Sequence, residues 1–195
     1  MEKPVDNVFV SRGGLKLRAA LDAFSLDPRG LICADLGCST GGFTDCLLQA
    51  GALRVTSVDT AYGQFAWRLR NDPRVTLMER TNALHLEPPE TVDLVVIDLG
   101  WTPQARAIPV AIRWLKPGGS IISLIKPHYE MPKAEFQRLA VKGILPDEDA
   151  ERVCAQTIAA LPTLGVRVHR SIESPIRGGE GGKGNREWLA ILKPS

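Results

Sequence analysis

The residues from Cys33 to Gly51 have the types and spacing of a nucleotide-binding loop. They read Cys-Ala-Asp-Leu-Gly-Cys-Ser-Thr-Gly-Gly-Phe-Thr-Asp-Cys-Leu-Leu-Gln-Ala-Gly. An apolar run over residues 31–36 stops at an Asp-x-Gly, a glycine loop follows, and the next segment has helical periodicity. Glycines let the backbone approach a ligand where a Cβ atom would collide. A strand, a glycine turn and a helix in this order predict a nucleotide-type site.

Two common nucleotide loops match this stretch poorly. A phosphate-binding P-loop has the glycine spacing of Gly37 and Gly42, but Phe43 and Thr44 stand where lysine and serine or threonine are required. Without the lysine nothing neutralises the terminal phosphates, so an NTPase is disfavoured. The dinucleotide fingerprint lacks its second glycine because Ser39 occupies that position, which makes NAD a weak match.

The remaining pattern is Asp35-x-Gly37-x-x-x-Gly41-Gly42, with Asp59 after the next strand. It is the pattern expected for S-adenosylmethionine, which has no pyrophosphate and has a ribose that needs a carboxylate. The alternative is a plain strand–helix turn with incidental glycines, and Asp59 weighs against that alternative.

Composition and charge limit the class of protein. The 195 residues are 44% hydrophobic and 24% charged, which predicts one soluble α/β domain over residues 1–195, with an N-terminal arm at 1–12. No apolar run reaches the ~20 residues of a membrane span, and we expect no signal peptide in the first residues given. The four cysteines contain no C-x-x-C, and the three histidines lie far apart, so we expect reduced thiols in the cytoplasm and no metal site.

Basic residues are unevenly distributed although the net charge is only +2. Residues 99–129 contain four basic and no acidic side chains, and residues 167–193 contain six basic and three acidic ones. Such patches suit phosphate contacts, but solvated helix faces would give the same counts.

The periodic segments predict an open, mostly parallel seven-stranded sheet with helices on both faces, a Rossmann-like α/β fold. We expect helices near residues 11–24, 64–70, 103–115 and 147–161, and a turn at 116–119. A mobile glycine-rich loop is expected at 176–185. The predicted strands cover residues 31–36, 55–59, 75–78, 92–97, 120–125, 166–172 and 187–192.

Four polar residues fall at predicted strand ends, namely Asp35, Asp59, Asp98 and Lys126. In open parallel sheets the ligand lies beyond the carboxyl ends of the strands. Asp98 and Lys126 end neighbouring strands, so they should be adjacent, and a lysine beside a carboxylate is a candidate for proton handling. A purely structural ion pair is the alternative.

Eight motifs in the same order resemble the TlyA-type, haemolysin A-like branch of the FtsJ-like ribosomal RNA methyltransferases. Together they cover nearly the whole chain. They lie at Ser11–Leu17, Asp35–Asp45, Tyr62–Trp67, Asp72–Val75, Glu79–Asn82, Ile125–Pro127, Ser174–Ile176 and Gly184–Glu187.

This resemblance implies methyl transfer from S-adenosylmethionine to a ribose 2′-hydroxyl through a Lys-Asp-Lys-Glu tetrad. The matching residues are Lys16, Asp98, Lys126 and Glu187. Lys126 would contact the 2′-oxygen and assist its deprotonation, and Asp98 would position Lys126 and balance its charge. Lys16 and Glu187 would orient Lys126 and the target ribose. A 2′-hydroxyl is a poor nucleophile, so alignment and help with its proton are what an enzyme must supply.

The resemblance also implies the cofactor contacts and the partner. Asp59 would bind the ribose hydroxyls, Asn82 the adenine edge, and Asp98 would also face the cofactor. The methionine part would lie on Asp35, Gly37, Ser39, Thr40, Gly41, Gly42 and Phe43. The expected partner is RNA, either ribosomal RNA or a ribosomal subunit, with no membrane; the oligomeric state stays open. The alternatives are a SAM-binding accessory module without catalysis, a small-molecule methyltransferase and a membrane-active haemolysin.

The chain departs from the family pattern at several places. We expect no S4 RNA-binding module in these residues, Leu84 replaces an arginine, and the glycine loop before Glu187 is longer. Gly100-Trp101-Thr102-Pro103 replaces a serine–aromatic run, so Trp101 either stacks on the target base or packs. Three further aromatic residues are expected in the core rather than on a cofactor wall: Tyr62, Phe65 and Trp67.

Overall fold

The structure is a computed structural model that describes residues 8–195, apart from the side chain of Glu180. The first seven residues of the predicted N-terminal arm lie outside this range. The strands are β1 (Ile32–Leu36), β2 (Arg54–Val58), β3 (Val75–Met78), β4 (Val92–Ile97), β5 (Leu115–Ile125), β6 (Val166–Glu173) and β7 (Trp188–Pro194). The helices are α1 (Gly13–Phe24), α2 (Gly42–Gln49), α3 (Trp67–Arg70), α4 (Gln104–Trp114), α5 (Pro127–Glu130), α6 (Lys133–Leu139) and α7 (Asp147–Ala160), and a 3-10 turn (Leu161–Leu164) follows α7.

Within residues 8–195, seven strands form one sheet in the order β3-β2-β1-β4-β5-β7-β6. The five strands from β3 to β5 pair in parallel, and β7 runs antiparallel to both β5 and β6. The chain runs outward from β1 to β3 and then returns to place β4 on the other side of β1. The strand order therefore reverses between β1 and β4, which is where open α/β sheets bind ligands. The predicted Rossmann-like sheet is confirmed.

Helices cover both faces of the sheet, as β4 shows most directly. Leu94 and Val96 pack in a core cluster with residues of α1 and α2, whereas Val95 and Ile97 pack in a second cluster with residues of α4 and α7. Successive side chains of a strand point to opposite faces, so a continuous apolar run needs both faces covered. No helix among residues 8–195 is long and apolar enough to cross a membrane.

Some local predictions need correction. The turn expected at residues 116–119 is a bulge inside β5, which starts at Leu115, and the pairing with β4 shifts there while Gly118 adopts a positive φ of 83°. Helix α3 starts at Trp67 rather than at Gln64. Helix α6 was not expected from the sequence, and none of its residues is buried.

The expectation for the three aromatic residues near β2 holds only for Phe65, which is buried in the core. Tyr62 is 65% exposed and Trp67 is 75% exposed, so the prediction that they lie in the core was wrong. The guanidinium carbon of Arg80 lies 4.0 Å from the centroid of the Tyr62 ring, so Arg80 contacts one face of this exposed ring.

Candidate active site

The glycine loop after β1 is shaped by its contact with the end of β4. Gly37 has a φ of +93°, and its amide donates a 2.9 Å hydrogen bond to the Val58 carbonyl. A Cβ atom at Gly37 would collide with the backbone carbonyl of Asp98. Only glycine combines this left-handed conformation with such a close approach. The loop therefore lies directly against Asp98, at the reversal of the strand order.

Asp35 lies fully buried beneath the loop rather than in a cavity. Its Oδ2 accepts hydrogen bonds from the Thr44 amide at 2.9 Å and the Thr44 hydroxyl at 2.6 Å, which fixes the first turn of α2. Its Oδ1 has no partner among the described residues. Burial raises the pKa of Asp35 to about 7, although the bonds from Thr44 oppose this rise. Asp35 thus supports the loop, and it lines neither cavity described below.

Asp59 fixes the other side of the loop. Its Oδ2 accepts a 2.7 Å hydrogen bond from the Ser39 amide, and its Oδ1 accepts one of the same length from the Ala61 amide. A carboxylate oxygen has two lone pairs, so each oxygen can accept a further bond from a ligand hydroxyl. Asp59 is therefore both a loop anchor and an available acceptor.

A cavity of about 450 Å³ opens beside Asp59, with Asn82 and Trp101 on its walls. The Oδ1 of Asn82 accepts a 2.9 Å bond from the Leu84 amide, which orients the side chain. We call this space the cofactor cavity. Its size suits a nucleoside-sized ligand, and Asp59 can receive ribose hydroxyls. S-adenosylmethionine fits this lining, because Gly37 presents backbone without a Cβ atom and Asp59 can accept hydrogen bonds from the ribose hydroxyls.

The predicted tetrad is brought together as two ion pairs. Lys16 on α1 pairs with Glu187 just before β7, and Lys126 after β5 pairs with Asp98 after β4. Lys16 is 9% exposed and Glu187 is 4% exposed, although 171 residues separate them. A Cβ atom at Gly178 would collide with Glu187 Oε1, so a glycine there makes room for the carboxylate. Breaking a buried pair leaves an uncompensated charge, so the geometry depends on both partners.

The electrostatics of the tetrad keep Lys126 charged. Burial lowers the pKa of Lys126, but the charge and hydrogen bond of Asp98, helped by Glu187, outweigh burial and raise the pKa above its ordinary value. The pKa of His128 falls to about 4 because it is buried and lies near Lys126. At neutral pH, Lys126 is therefore an ammonium and His128 is neutral.

A second cavity of about 610 Å³ is lined by all four tetrad residues, and we call it the acceptor cavity. The acceptor and cofactor cavities share four residues, namely Gly37, Ser39, Asp98 and Lys126. A group held in one cavity can therefore approach a group held in the other beside these four residues, which include the Lys126–Asp98 pair. This arrangement suits a transfer reaction between two ligands.

Of the remaining predicted loop residues, three line the acceptor cavity and one does not. Thr40, Gly42 and Phe43 line the acceptor cavity, whereas Gly41 does not, because its Cα faces Leu69 and Phe65.

Trp101 is 85% exposed, with its ring centroid 4.9 Å from that of Tyr129. Among the described residues, no group of three or more His, Cys, Asp or Glu could hold a metal ion.

Sequence reasoning missed four further residues of the acceptor cavity: Arg12, Tyr129, Lys142 and Asn185. Asn185 joins two loops, since its Oδ1 accepts a 2.7 Å bond from the Leu145 amide and its Nδ2 donates to the Gly143 carbonyl at 3.2 Å. Arg12 and Asn185 stand within motifs that carry the family resemblance, and Lys142-Gly143 has the composition of a turn. Those signals could have identified them.

The fold and the paired cavities define a Rossmann-like methyltransferase. An S-adenosylmethionine-dependent methyltransferase from Mesorhizobium loti shares the fold with a TM-score of 0.63 at 18% identity, and the match covers 89% of this chain and 95% of that one. The chain belongs to the FtsJ-like methyltransferase family, whose model matches residues 9–191. The predicted family is confirmed, and S-adenosylmethionine is the cofactor that this family and fold indicate.

Two relatives are more similar in sequence. The 16S/23S rRNA (cytidine-2′-O)-methyltransferase TlyA of Mycobacterium tuberculosis is 45% identical over 133 residues, which cover 67% of this chain but only 50% of TlyA. A candidate hemolysin structure from Streptococcus thermophilus has a TM-score of 0.87 at 36% identity and covers 100% of this chain and 69% of that one. The similarity to TlyA is consistent with the predicted TlyA-type branch.

Proposed function

We propose that this chain transfers a methyl group from S-adenosylmethionine to a ribose 2′-hydroxyl of RNA, and that the RNA is ribosomal. The observation that carries the proposal is the meeting of the two cavities at Lys126 and Asp98. A methyl donor in one cavity and a ribose in the other would have their reacting atoms adjacent to an ammonium and a carboxylate.

In the cofactor cavity, Asp59 binds the ribose hydroxyls and Asn82 the adenine edge. The methionine part would lie along Gly37 and Ser39, which line both cavities, and reach Thr40, Gly42 and Phe43 in the acceptor cavity, while Asp35 and Gly41 shape the loop from below. S-adenosylmethionine supplies an electrophilic methyl group on a sulfonium. Helix α2 begins at Gly42, which lines the acceptor cavity, so its positive end would favour the ligand's carboxylate there.

In the acceptor cavity, Lys126 donates a hydrogen bond to the 2′-oxygen and stabilises the negative charge that develops as the hydroxyl passes its proton to solvent water. The oxygen would then form its bond to the methyl group as the methyl–sulfur bond breaks, with S-adenosylhomocysteine as the leaving group. Asp98 holds Lys126 in place and balances its charge. Lys16 and Glu187 orient Lys126 and the ribose as a second, more buried pair. The chain thus aligns the nucleophile and lowers the cost of its deprotonation.

The ribosomal substrate rests on similarity to TlyA, which is named for action on 16S and 23S rRNA. The cations that line the acceptor cavity beside the tetrad, Arg12 and Lys142, support a nucleic-acid acceptor rather than a small metabolite. A ribosomal substrate would place the protein in the cytoplasm, and residues 1–195 would act as one methyltransferase domain.

The test is incubation with methyl-labelled S-adenosylmethionine and unmethylated ribosomal RNA, followed by mass analysis of the nucleosides. We expect label in a 2′-O-methyl nucleoside. Lys126→Ala should bind S-adenosylmethionine nearly as well as the wild type but lose activity by about 10²–10³-fold, the usual cost of removing one donor to a developing oxyanion. Lys116→Ala is the matched control, because Lys116 lies at the opposite end of β5 and pairs with Asp93.

Two results would contradict the proposal. Label on a metabolite with none on RNA would indicate a small-molecule methyltransferase. Cofactor binding without any transfer to RNA would indicate an accessory module. Full activity of Lys126→Ala would remove Lys126 from the reaction while leaving the substrate assignment intact.

A further inference from the structure

Two cations at the rim of the acceptor cavity take no part in the tetrad. They are Arg12, which precedes α1, and Lys142, in the turn between α6 and α7. Among the described side chains, which exclude that of Glu180, neither forms an ion pair with a carboxylate. Arg12 donates one hydrogen bond from its guanidinium to the Gly179 carbonyl. A guanidinium has five donors, so most of its capacity remains available.

The charges that line the acceptor cavity do not balance. Four cations (Arg12, Lys16, Lys126, Lys142) face two carboxylates (Asp98, Glu187), and both carboxylates are already paired inside the tetrad. The remaining titratable imidazole, His128, is neutral because its pKa lies near 4. Among the described side chains, the cavity therefore has an excess of two positive charges, and these belong to the exposed residues Arg12 and Lys142. In the cofactor cavity the balance is reversed, with two carboxylates against one lysine.

Lys142 lies in a tight turn and has an unusual backbone conformation. Its φ is +51° and that of Gly143 is +78°, in a turn closed by hydrogen bonds of 2.8 and 3.0 Å between Val141 and Ile144. Asn185 fixes the far side of this turn. A lysine in the left-handed region costs free energy, and such strain persists where the surroundings determine it. The turn fixes the Lys142 backbone at the cavity.

We propose that Arg12 and Lys142 bind the two phosphodiester groups that flank the acceptor ribose. This inference rests on the proposed function. A ribose inside a strand has one phosphate on each side, and two negative charges match the excess of two cations at the rim. Arginine and lysine are the usual phosphate ligands. The site thereby selects a ribose within a polynucleotide strand and disfavours a free nucleoside.

The test measures binding of a fluorescein-labelled, single-stranded oligoribonucleotide between about 50 and 200 mM salt. Arg12→Gln removes one charge, and Lys142→Asn removes the other with a residue that tolerates positive φ. Each variant should reduce the slope of log K against log salt by about 0.7, the value for one phosphate contact on a single strand. In methylation assays the loss should fall on KM, which rises about tenfold, rather than on kcat.

Two further variants control the test. Lys142→Arg should show the wild-type slope of log K against log salt, because it keeps the positive charge. Arg29→Gln should leave the slope and KM unchanged, since Arg29 is exposed and precedes β1, at the amino ends of the parallel strands and opposite the acceptor cavity. Variants of Arg12 and Lys142 that behave like Arg29→Gln, in a wild type that binds and methylates RNA, would overturn this inference alone. A wild type that neither binds nor methylates RNA would overturn the proposed function as well.

Discussion

The buried carboxyl of Asp35 should make the stability of this protein depend on pH. Asp35 is fully buried, its Oδ1 has no partner among the described residues, and its pKa is raised from 3.8 to about 7. Burial penalises the charged form and outweighs the two hydrogen bonds from Thr44. The perturbation is therefore a change of pH, compared between the wild type and Asp35→Asn.

The sign follows from where the proton is held. Between about pH 4 and 7 the unfolded chain releases the Asp35 proton while the folded chain keeps it, so the free energy of unfolding falls as the pH rises. The rise in the pKa of Asp35, from 3.8 to about 7, corresponds to a change of about 4 kcal/mol in the free energy of unfolding over the whole pH range. Between pH 5 and 8 the part that is lost is about 2.5 kcal/mol.

Asp35→Asn removes this dependence without changing the shape of the side chain. The amide oxygen can accept the bonds from Thr44, and the amide nitrogen takes the place of the unpartnered Oδ1. Urea unfolding followed by tryptophan fluorescence at pH 5 and pH 8 gives the free energies. The difference between variant and wild type should change by about 2.5 kcal/mol in favour of the variant as the pH rises.

Subtracting the wild type removes the contributions of other titrating groups. Glu130 also has a pKa raised to about 7 by burial, whereas that of His128 is lowered to about 4, and both are present in each protein. Asp22→Asn on the exposed face of α1 is the matched control, because water solvates that charge in both states. An equal difference between Asp35→Asn and the wild type at the two pH values would refute the reasoning.

Two further predictions concern the cofactor cavity. Asp59→Ala should weaken S-adenosylmethionine binding at least about tenfold, since it removes the ribose acceptor and frees the Ser39 amide; calorimetry with exposed Glu87→Ala as control measures this, and unchanged affinity would remove Asp59 from the cavity. Gly37→Ala should lower the free energy of unfolding by more than about 1 kcal/mol, because of the positive φ and the collision with the Asp98 carbonyl. Gly63→Ala has a positive φ but open space, so equal losses in urea unfolding would show that the collision costs nothing.

Most of the fold could be predicted because the parallel strands are short, apolar and separated by clear turns. The run at β4 is buried on both faces, and its end at Asp98 is marked by a charge. The bulge in β5 and helix α6 could not be predicted in the same way. The bulge has the composition of an ordinary turn, and α6 is only seven residues long, with two large apolar side chains, Phe136 and Leu139, that are only half-buried.

The site was predictable to the extent that it lies at strand ends. The adjacency of Asp98 and Lys126 follows from parallel neighbouring strands, whereas the pairing of Lys16 with Glu187 joins residues 171 positions apart and came only from family resemblance. The position of Asp35 beneath the loop was not foreseeable either. A strand-end carboxylate can turn toward the ligand or toward the helix that follows, and here the Thr44 amide and hydroxyl bind it.

The charge of Lys126 limits what it can do in the proposed reaction. Its pKa is raised by Asp98, so at neutral pH its nitrogen holds three protons and has no lone pair with which to accept another. With this charge on Lys126, a direct proton transfer from the 2′-hydroxyl to Lys126 is disfavoured. The same charge favours an alkoxide within hydrogen-bond reach, because the cavity is only partly open to water and the attraction is weakly screened. Lys126 would then assist deprotonation by lowering the pKa of the hydroxyl, and Asp98 would keep that cation in position.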